Sequence, residues 1–331
     1  KNWPSRELET TLAQIIAKAL ALNALPLTIS LVLALFSGLN ATPKKSYLSE
    51  HSSRITPAQT GRLLAAWHAQ SAATDLLPGR SFNLDFHSVP YYGEHPLVER
   101  HYVSARSRRQ PSVLVFLAQD ADTRVFCYSH ADIRKGEEAD EIFRFLEFWQ
   151  RHHGRYPGHL VFDSRLTTQP NLARLDDLGI SFITLRRRSP KLLAEISRLA
   201  PSAWRTVELD LPTRKFRFPR VFEQTVRVAG RSFRQLFILD LGHDEPTILL
   251  ANDRKLPAPK LILRYAQRML IENALSDAVR FFHMDALSSA VGLKVDFDMT
   301  LLVIASGLYR LMAKRMRGYA DAQARQIFRD L

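Results

Sequence analysis

The sequence predicts an α/β fold: a mixed sheet with helices, interrupted by an all-β insertion and preceded by a helical N-terminal region. Three observations carry this. Short apolar strands alternate with helical periods over 78–200. The stretch 201–255 shows strand patterning punctuated by Pro and Gly, with no helical period. After Pro257 and Pro259 a helical period returns and continues to the C-terminus. The expected regions are therefore 1–77, 78–200, 201–255 and 256–331.

The N-terminal elements come first. Helices are expected over Glu7–Asn23, Leu25–Leu39 and Pro57–Ala69, the last opened by Thr56 as cap and Pro57 in the first turn. The uncharged run Ala19–Thr42 is long enough to span a bilayer. Asn23, Pro26, Thr28, Ser30, Ser37 and Asn40 interrupt it, and no Arg-rich flank or cleavage site accompanies it, so a buried helix and no membrane partner are expected. The chain opens on Lys1 rather than Met, as a fragment or trimmed chain would.

Pro78-Gly79 breaks the chain, and Ser81–His87 reads as a strand with Phe82, Leu84 and Phe86 on one face and Asp85 and His87 on the other. Val113–Ala118 and Arg124–Tyr128 flank the Asp120-Ala-Asp-Thr turn as a hairpin. Glu138–His152 carries Ile142, Phe145, Leu146 and Trp149 at helical spacing. Leu160–Phe162 is a strand ending at Asp163; a helix over Asn171–Leu178 stops at Gly179; Ser181–Leu185 is the next strand. In the insertion, strands are expected at Thr206–Leu209, Val221–Val228, Phe233–Leu239 and Thr247–Leu250, followed by one long helix, Lys260–Phe282. The order β, β-hairpin, α, β, α, β before the insertion is that of the ribonuclease-H-like fold.

Composition narrows the partners. Lys and Arg number 46 against 33 Asp and Glu, a formal charge of +13, in a chain 46% hydrophobic and 24% charged. That is a globular profile with a real core, and the excess of cations suits polyanions such as nucleic acid or acidic membrane surfaces. The single Cys127 excludes an internal disulfide framework and a Cys-based zinc site, and makes a reducing, cytoplasmic setting the default.

The candidate chemistry rests on acids. Asp85 sits in an apolar strand on the face its hydrophobic neighbours avoid, and Asp163 ends a second apolar strand. Ligand sites in open α/β sheets gather at strand ends, and adjacent carboxylates repel unless a cation lies between them. Taken singly, each Asp is equally an ordinary strand or turn cap. In the expected closing helix, Tyr265, Arg268 and Glu272 at i, i+3 and i+7 share one face. That face is either a solvated surface bearing an ion pair or the source of a third carboxylate.

Tyr265-x2-Arg268-x3-Glu272 resembles the Tyr-x2-Arg-x3-Glu-x6-Lys signature of a large group of bacterial insertion-sequence transposases. The run Arg264 to Leu287 is similar to that group's third catalytic block, Phe82-Asn-Leu-Asp85-Phe-His87 to its first, and Val161-Phe-Asp163-Ser-Arg to its second. The resemblance extends over 81–287, with the β insertion in the family's usual place. It implies a DDE transposase in which Asp85, Asp163 and Glu272 form the catalytic triad and bind two Mg2+ (or Mn2+) ions, while Tyr265 and Arg268 hold the phosphate backbone. It implies DNA partners, namely the element's terminal inverted repeats and a target, a homodimer on DNA, and a bacterial, nucleoid-associated setting. The family Lys falls at Val279, with Arg280 as the nearest replacement. A nuclease of the same fold without strand transfer, and an inactive DNA-binding relative, stay open.

Weaker candidates surround these. The clusters Arg106/Arg108/Arg109, Arg186-Arg187-Arg188 and Arg214/Lys215/Arg217/Arg220 are phosphate contacts or solvated faces. Trp204 stacks on a base or packs in a core. His87 touches a metal or phosphate, or makes a structural hydrogen bond, and Tyr91-Tyr92-Gly93 forms a loop beside the first strand.

Overall fold

In a computed structural model of the chain, the described residues are 50–52, 54–94, 98–103, 106–131, 133–210, 216–285 and 294–330. The two helices expected over 7–39, the apolar run 19–42, Arg214 and Lys215 lie outside them. The chain divides into two compact units: Lys1–Pro78 with Phe86–Lys135 and Ile271–Leu331, and Gly79–Asp85 with Gly136–Leu270.

In the first unit, α1 (Pro57–Ser71) opens on a capping box. The Gln59 N–H donates to Thr56 Oγ1 at 3.3 Å and the Thr56 N–H to Gln59 Oε1 at 2.8 Å, so two otherwise orphaned donors are satisfied. Strand β1 (Ser81–Pro90) belongs to this unit from Phe86 onward and pairs with β3 (Arg108–Asp120). Antiparallel to β3 lie β2 (Glu99–Val103) and β4 (Phe126–His130). The β3–β4 turn is closed by Asp120, whose Oδ1 accepts from the N–H groups of Asp122 and Thr123. Strand β3 starts five residues before the expected Val113, and β2 is an element the polar run Glu-Arg-His-Tyr did not announce.

The second unit takes the opening of β1, α2 (Glu141–His153), β5 (His159–Phe162), α3 (Gln169–Asp177), β6 (Ser181–Leu185) and α4 (Pro190–Ser197). The strands β1, β5 and β6 run parallel, with Leu84 opposite Phe162 and Phe162 opposite Thr184. Phe82 and Trp149 pack edge to face at 4.5 Å. Gly79, at φ +64, passes so close to that indole that a Cβ would meet it at 2.0 Å.

The β-rich stretch does not form a body of its own. After β7 (Arg205–Thr206), β8 (Arg220–Val228) and β9 (Arg231–Leu239), strand β10 (Thr247–Ala251) lies antiparallel to β6, with Leu249 opposite Leu185 and Ala251 opposite Ile183. The unit's strand order is β1-β5-β6-β10-β9-β8-β7. The reason is a shared core. Val161 and Ile183 from the parallel strands, Leu236, Ile238 and Leu249 from the later ones, and Leu261 and Ile262 of α5 (Ala258–Gln267) make one buried cluster.

The single helix expected over Lys260–Phe282 is two helices. The first, α5, ends at Gln267; α6 (Leu270–Arg280) begins after a turn at Arg268-Met269 and belongs to the first unit from Ile271. The Arg268 N–H donates to the Tyr265 carbonyl and that of Met269 to Ala266. These i→i−3 bonds tighten the last turn and stop the α ladder. Tyr265, Arg268 and Glu272 therefore do not share the face of one continuous helix.

The first unit closes with α7 (Val295–Arg315) and α8 (Ala324–Asp330). Gly307 of α7 lets Trp67 of α1 approach within 2.4 Å of where a Cβ would stand. Among the described residues no helix is long and apolar enough to cross a membrane.

Candidate active site

The second unit places the two expected aspartates side by side in chain register. Leu84 and Phe162 are partners on parallel strands, and Asp85 and Asp163 are the next residue of each. Fully buried Phe82, Leu84, Leu160 and Phe162 fix both strands in the core, so the carboxylates are held by strand position rather than by loops.

Each aspartate is further restrained. Asp163 Oδ1 accepts from the Arg165 N–H at 2.9 Å, and its carbonyl accepts from the hydroxyls of Thr184 and Thr167, each at 3.2 Å. Asp85 Oδ2 accepts from Arg268 Nη1 at 2.8 Å; the two side chains are only 14% and 10% exposed. Burial disfavours the Arg268 charge, but Asp85 above all, then Tyr265 and Asp163, outweigh it and raise its pKa. Burial raises the Tyr265 phenol; Arg268 opposes that shift, and Asp163 and Asp85 add to it. The guanidinium carbon lies 5.7 Å from the centre of the Tyr265 ring, within cation–π range. Four of the expected site residues thus form one electrostatic cluster: two anions converging on one nearly buried cation.

That donor chemistry fits a divalent ion. Hard cations such as magnesium prefer carboxylate oxygens, and the neighbouring Asp85 and Asp163 carboxylates already hold a positive charge. The third expected ligand, Glu272, is exposed on α6 in the first unit. Among the described residues, no three His, Cys, Asp or Glu side chains form a group able to hold a metal.

Arg264 is a site-supporting residue to which the sequence pattern assigns no role. Its Nη1 donates to Asn83 Oδ1 at 3.1 Å and its Nη2 to Ser81 Oγ, tying α5 to β1 one helical turn before Arg268. The i, i+4 spacing of the two arginines was the available signal. Beside it, His159 has its pKa lowered to about 4, by burial first and by Arg264 second, with Asp253 opposing.

The remaining candidates disperse. Arg280 is exposed at the end of α6. Arg186 donates to Gln235 and Arg188 pairs with Glu245. Together with exposed Arg187, Ser164, His243 and Thr247 they line a cleft of about 660 Å³ beside Asp163. Trp204 packs against the Leu192, Ile196, Phe237 and Ile248 cluster, its ring 6.3 Å from Phe222. His87 Nε2 lies 2.8 Å from Asp285 Oδ1 within the first unit. Arg217 and Arg220 pair with Glu208 and Asp240.

No protein-family model matches the chain, and no curated protein matches it. Among solved structures it is similar to a cryo-EM structure of a piggyBac transposase synaptic complex with hairpin DNA. The TM-score is 0.47 and the identity 10%, over 100% of this chain and 77% of that one. At that score and identity the likeness assigns neither fold nor activity to this chain.

Proposed function

We propose that this chain is a DDE-type DNA transposase that cuts the ends of its own mobile element and joins them to a target. The observation that carries the reading is the convergence of Asp85, within β1, and Asp163, at the end of the adjacent parallel β5, upon the buried Arg268 guanidinium. The strand pairings add support: β3 with β1 and β4, then β1, β5 and β6 in parallel, are the pairings a ribonuclease-H-like sheet uses. The charge of +13 suits a DNA partner.

In this reading Asp85, Asp163 and Glu272 would hold Mg2+ or Mn2+, two ions per site. When bound, such ions activate an attacking hydroxyl and stabilise the leaving oxygen of a phosphodiester. The chain's own part is positioning. Thr167, Thr184 and the Arg165 N–H keep Asp163 in place. Arg268, once released from Asp85, and Tyr265 hold the phosphate backbone, while Arg280 and Arg186 to Arg188 contact flanking phosphates. Trp204 serves packing. Concerted processing of two ends calls for a homodimer on DNA.

The test uses purified protein, magnesium and a labelled duplex carrying the DNA that flanks the gene. Wild type should nick it and join the cut end to a plasmid, and Asp163→Ala and Glu272→Ala should do neither. If both variants cut as well as wild type, the triad is wrong. Cutting without joining identifies a nuclease.

A further inference from the structure

The first unit bears a second cationic face that the reading above does not use. Strand β2 ends its sheet order, with β3 as its neighbour. Along β2 the side chains alternate: His101 and Val103 are buried, while Arg100 and Tyr102 are exposed on the other face. On that face β3 sets Arg109 opposite Tyr102 and Pro111 opposite Arg100. Arg100 Nη2 donates across the ladder to the Arg109 carbonyl at 3.2 Å, which keeps its guanidinium over β3. In the turn after β2, the Arg106 guanidinium lies 5.8 Å from the ring centre of Tyr92, which follows β1. The Tyr91 N–H donates to the Pro111 carbonyl at 3.2 Å and ties that loop to β3. Tyr92 is 73% and Tyr102 53% exposed.

Some exposed arginines of the second unit pair with carboxylates: Arg188 with Glu245, Arg205 with Glu223, Arg220 with Asp240, Arg231 with Asp177. Among the described residues, Arg100, Arg106 and Arg109 pair with no acid. Open tyrosine rings beside unneutralised guanidinium groups suit a strand whose bases are unpaired, since rings stack on bases while arginines take the phosphates. A duplex, with its bases stacked inward, offers the rings nothing. We infer that Tyr92, Tyr102, Arg100, Arg106 and Arg109 form a binding face for single-stranded nucleic acid. The inference rests on the proposed function only for the source of that strand.

The experiment measures fluorescence anisotropy of a labelled oligothymidylate of about fifteen nucleotides, a length one such site can cover, and of a duplex of equal length, with the full chain. Loss of two stacked rings predicts that Tyr92→Ala/Tyr102→Ala weakens single-strand binding at least about thirtyfold. Duplex binding should stay within about twofold, and Tyr92→Trp/Tyr102→Trp should restore the single-strand affinity. Arg100→Ala/Arg106→Ala/Arg109→Ala should flatten the salt dependence by about two in log–log slope. On wild type, the bound oligonucleotide should shield these three arginines from phenylglyoxal, a readout that needs no variant to fold. Unchanged single-strand binding in the double alanine variant, equal loss on duplex, or unshielded arginines overturns the inference. Binding through the tyrosines by a wild type that nicks nothing would defeat the transposase reading and leave this one standing.

Discussion

Arg268 Nη1 donates to Asp85 Oδ2 at 2.8 Å across 183 positions of sequence, with both side chains nearly buried. Removing one partner of such a pair strands the other charge in the interior, at a cost of about 3–5 kcal/mol. Arg268→Met and Asp85→Asn should each lower stability by that amount in urea unfolding. The combined variant, with no charge left to strand, should lose clearly less than the two losses added. Additive losses would mean that the pair contributes little.

The same pair governs how the site meets a cation. An ion seated at Asp85 and Asp163 must displace the guanidinium, so Arg268→Met should bind Mn2+ more tightly than wild type in calorimetry. Weaker binding by that variant would show that Arg268 does not compete for the place.

His159 makes stability depend on pH. Its folded pKa, lowered to about 4 from the ordinary 6.5, means the unfolded chain binds the proton first. The contribution is present above pH 6.5 and is lost as pH falls toward 4. Between pH 7 and pH 5 the wild type should lose roughly 2 kcal/mol from this group. His159→Gln should lack that share of the drop, and parallel pH profiles for the two proteins would refute the assignment.

Gly79→Ala should be poorly tolerated. The residue sits at φ +64, where an added Cβ costs about 1–2 kcal/mol by itself, and the new atom would collide with Trp149 at 2.0 Å. A melting temperature within a degree of wild type would rule out this packing.

Trp204→Ala should destabilise the protein by about 2–3 kcal/mol, less than the loss for a fully buried aromatic, because the ring is half-buried against Phe222 and its cluster. DNA affinity of the folded fraction should not change. A large affinity loss with normal stability would return Trp204 to base stacking.

Much of this was legible because strands and helices announce themselves by period. The apolar runs around Asp85 and Asp163 are short and bounded as strands must be, and the register places both residues just after a paired position of two adjacent parallel strands. The break in the closing helix did leave a trace: Leu270 and Ile271 stand nine positions after Leu261 and Ile262, half a turn out of phase at about 3.6 residues per turn. Where the turn falls depends on which carbonyl each N–H of Arg268-Met269 selects. Pairings between distant segments were hidden. Nothing in Arg268 names Asp85, and nothing in the polar run of β2 names β3.

The antiparallel seam between β6 and β10 has a consequence for how the chain is made. During synthesis, β6 emerges long before residues 247–251, and until then its outer row of N–H and C=O groups is an adhesive rim that any extended peptide could join. Deleting the later strands, β10 included, would therefore not trim a dispensable lobe; it would leave that rim permanently open to aggregation. In the finished sheet the order ends instead on β7, only two residues long and opening on exposed Arg205, too short and too charged to recruit a stranger.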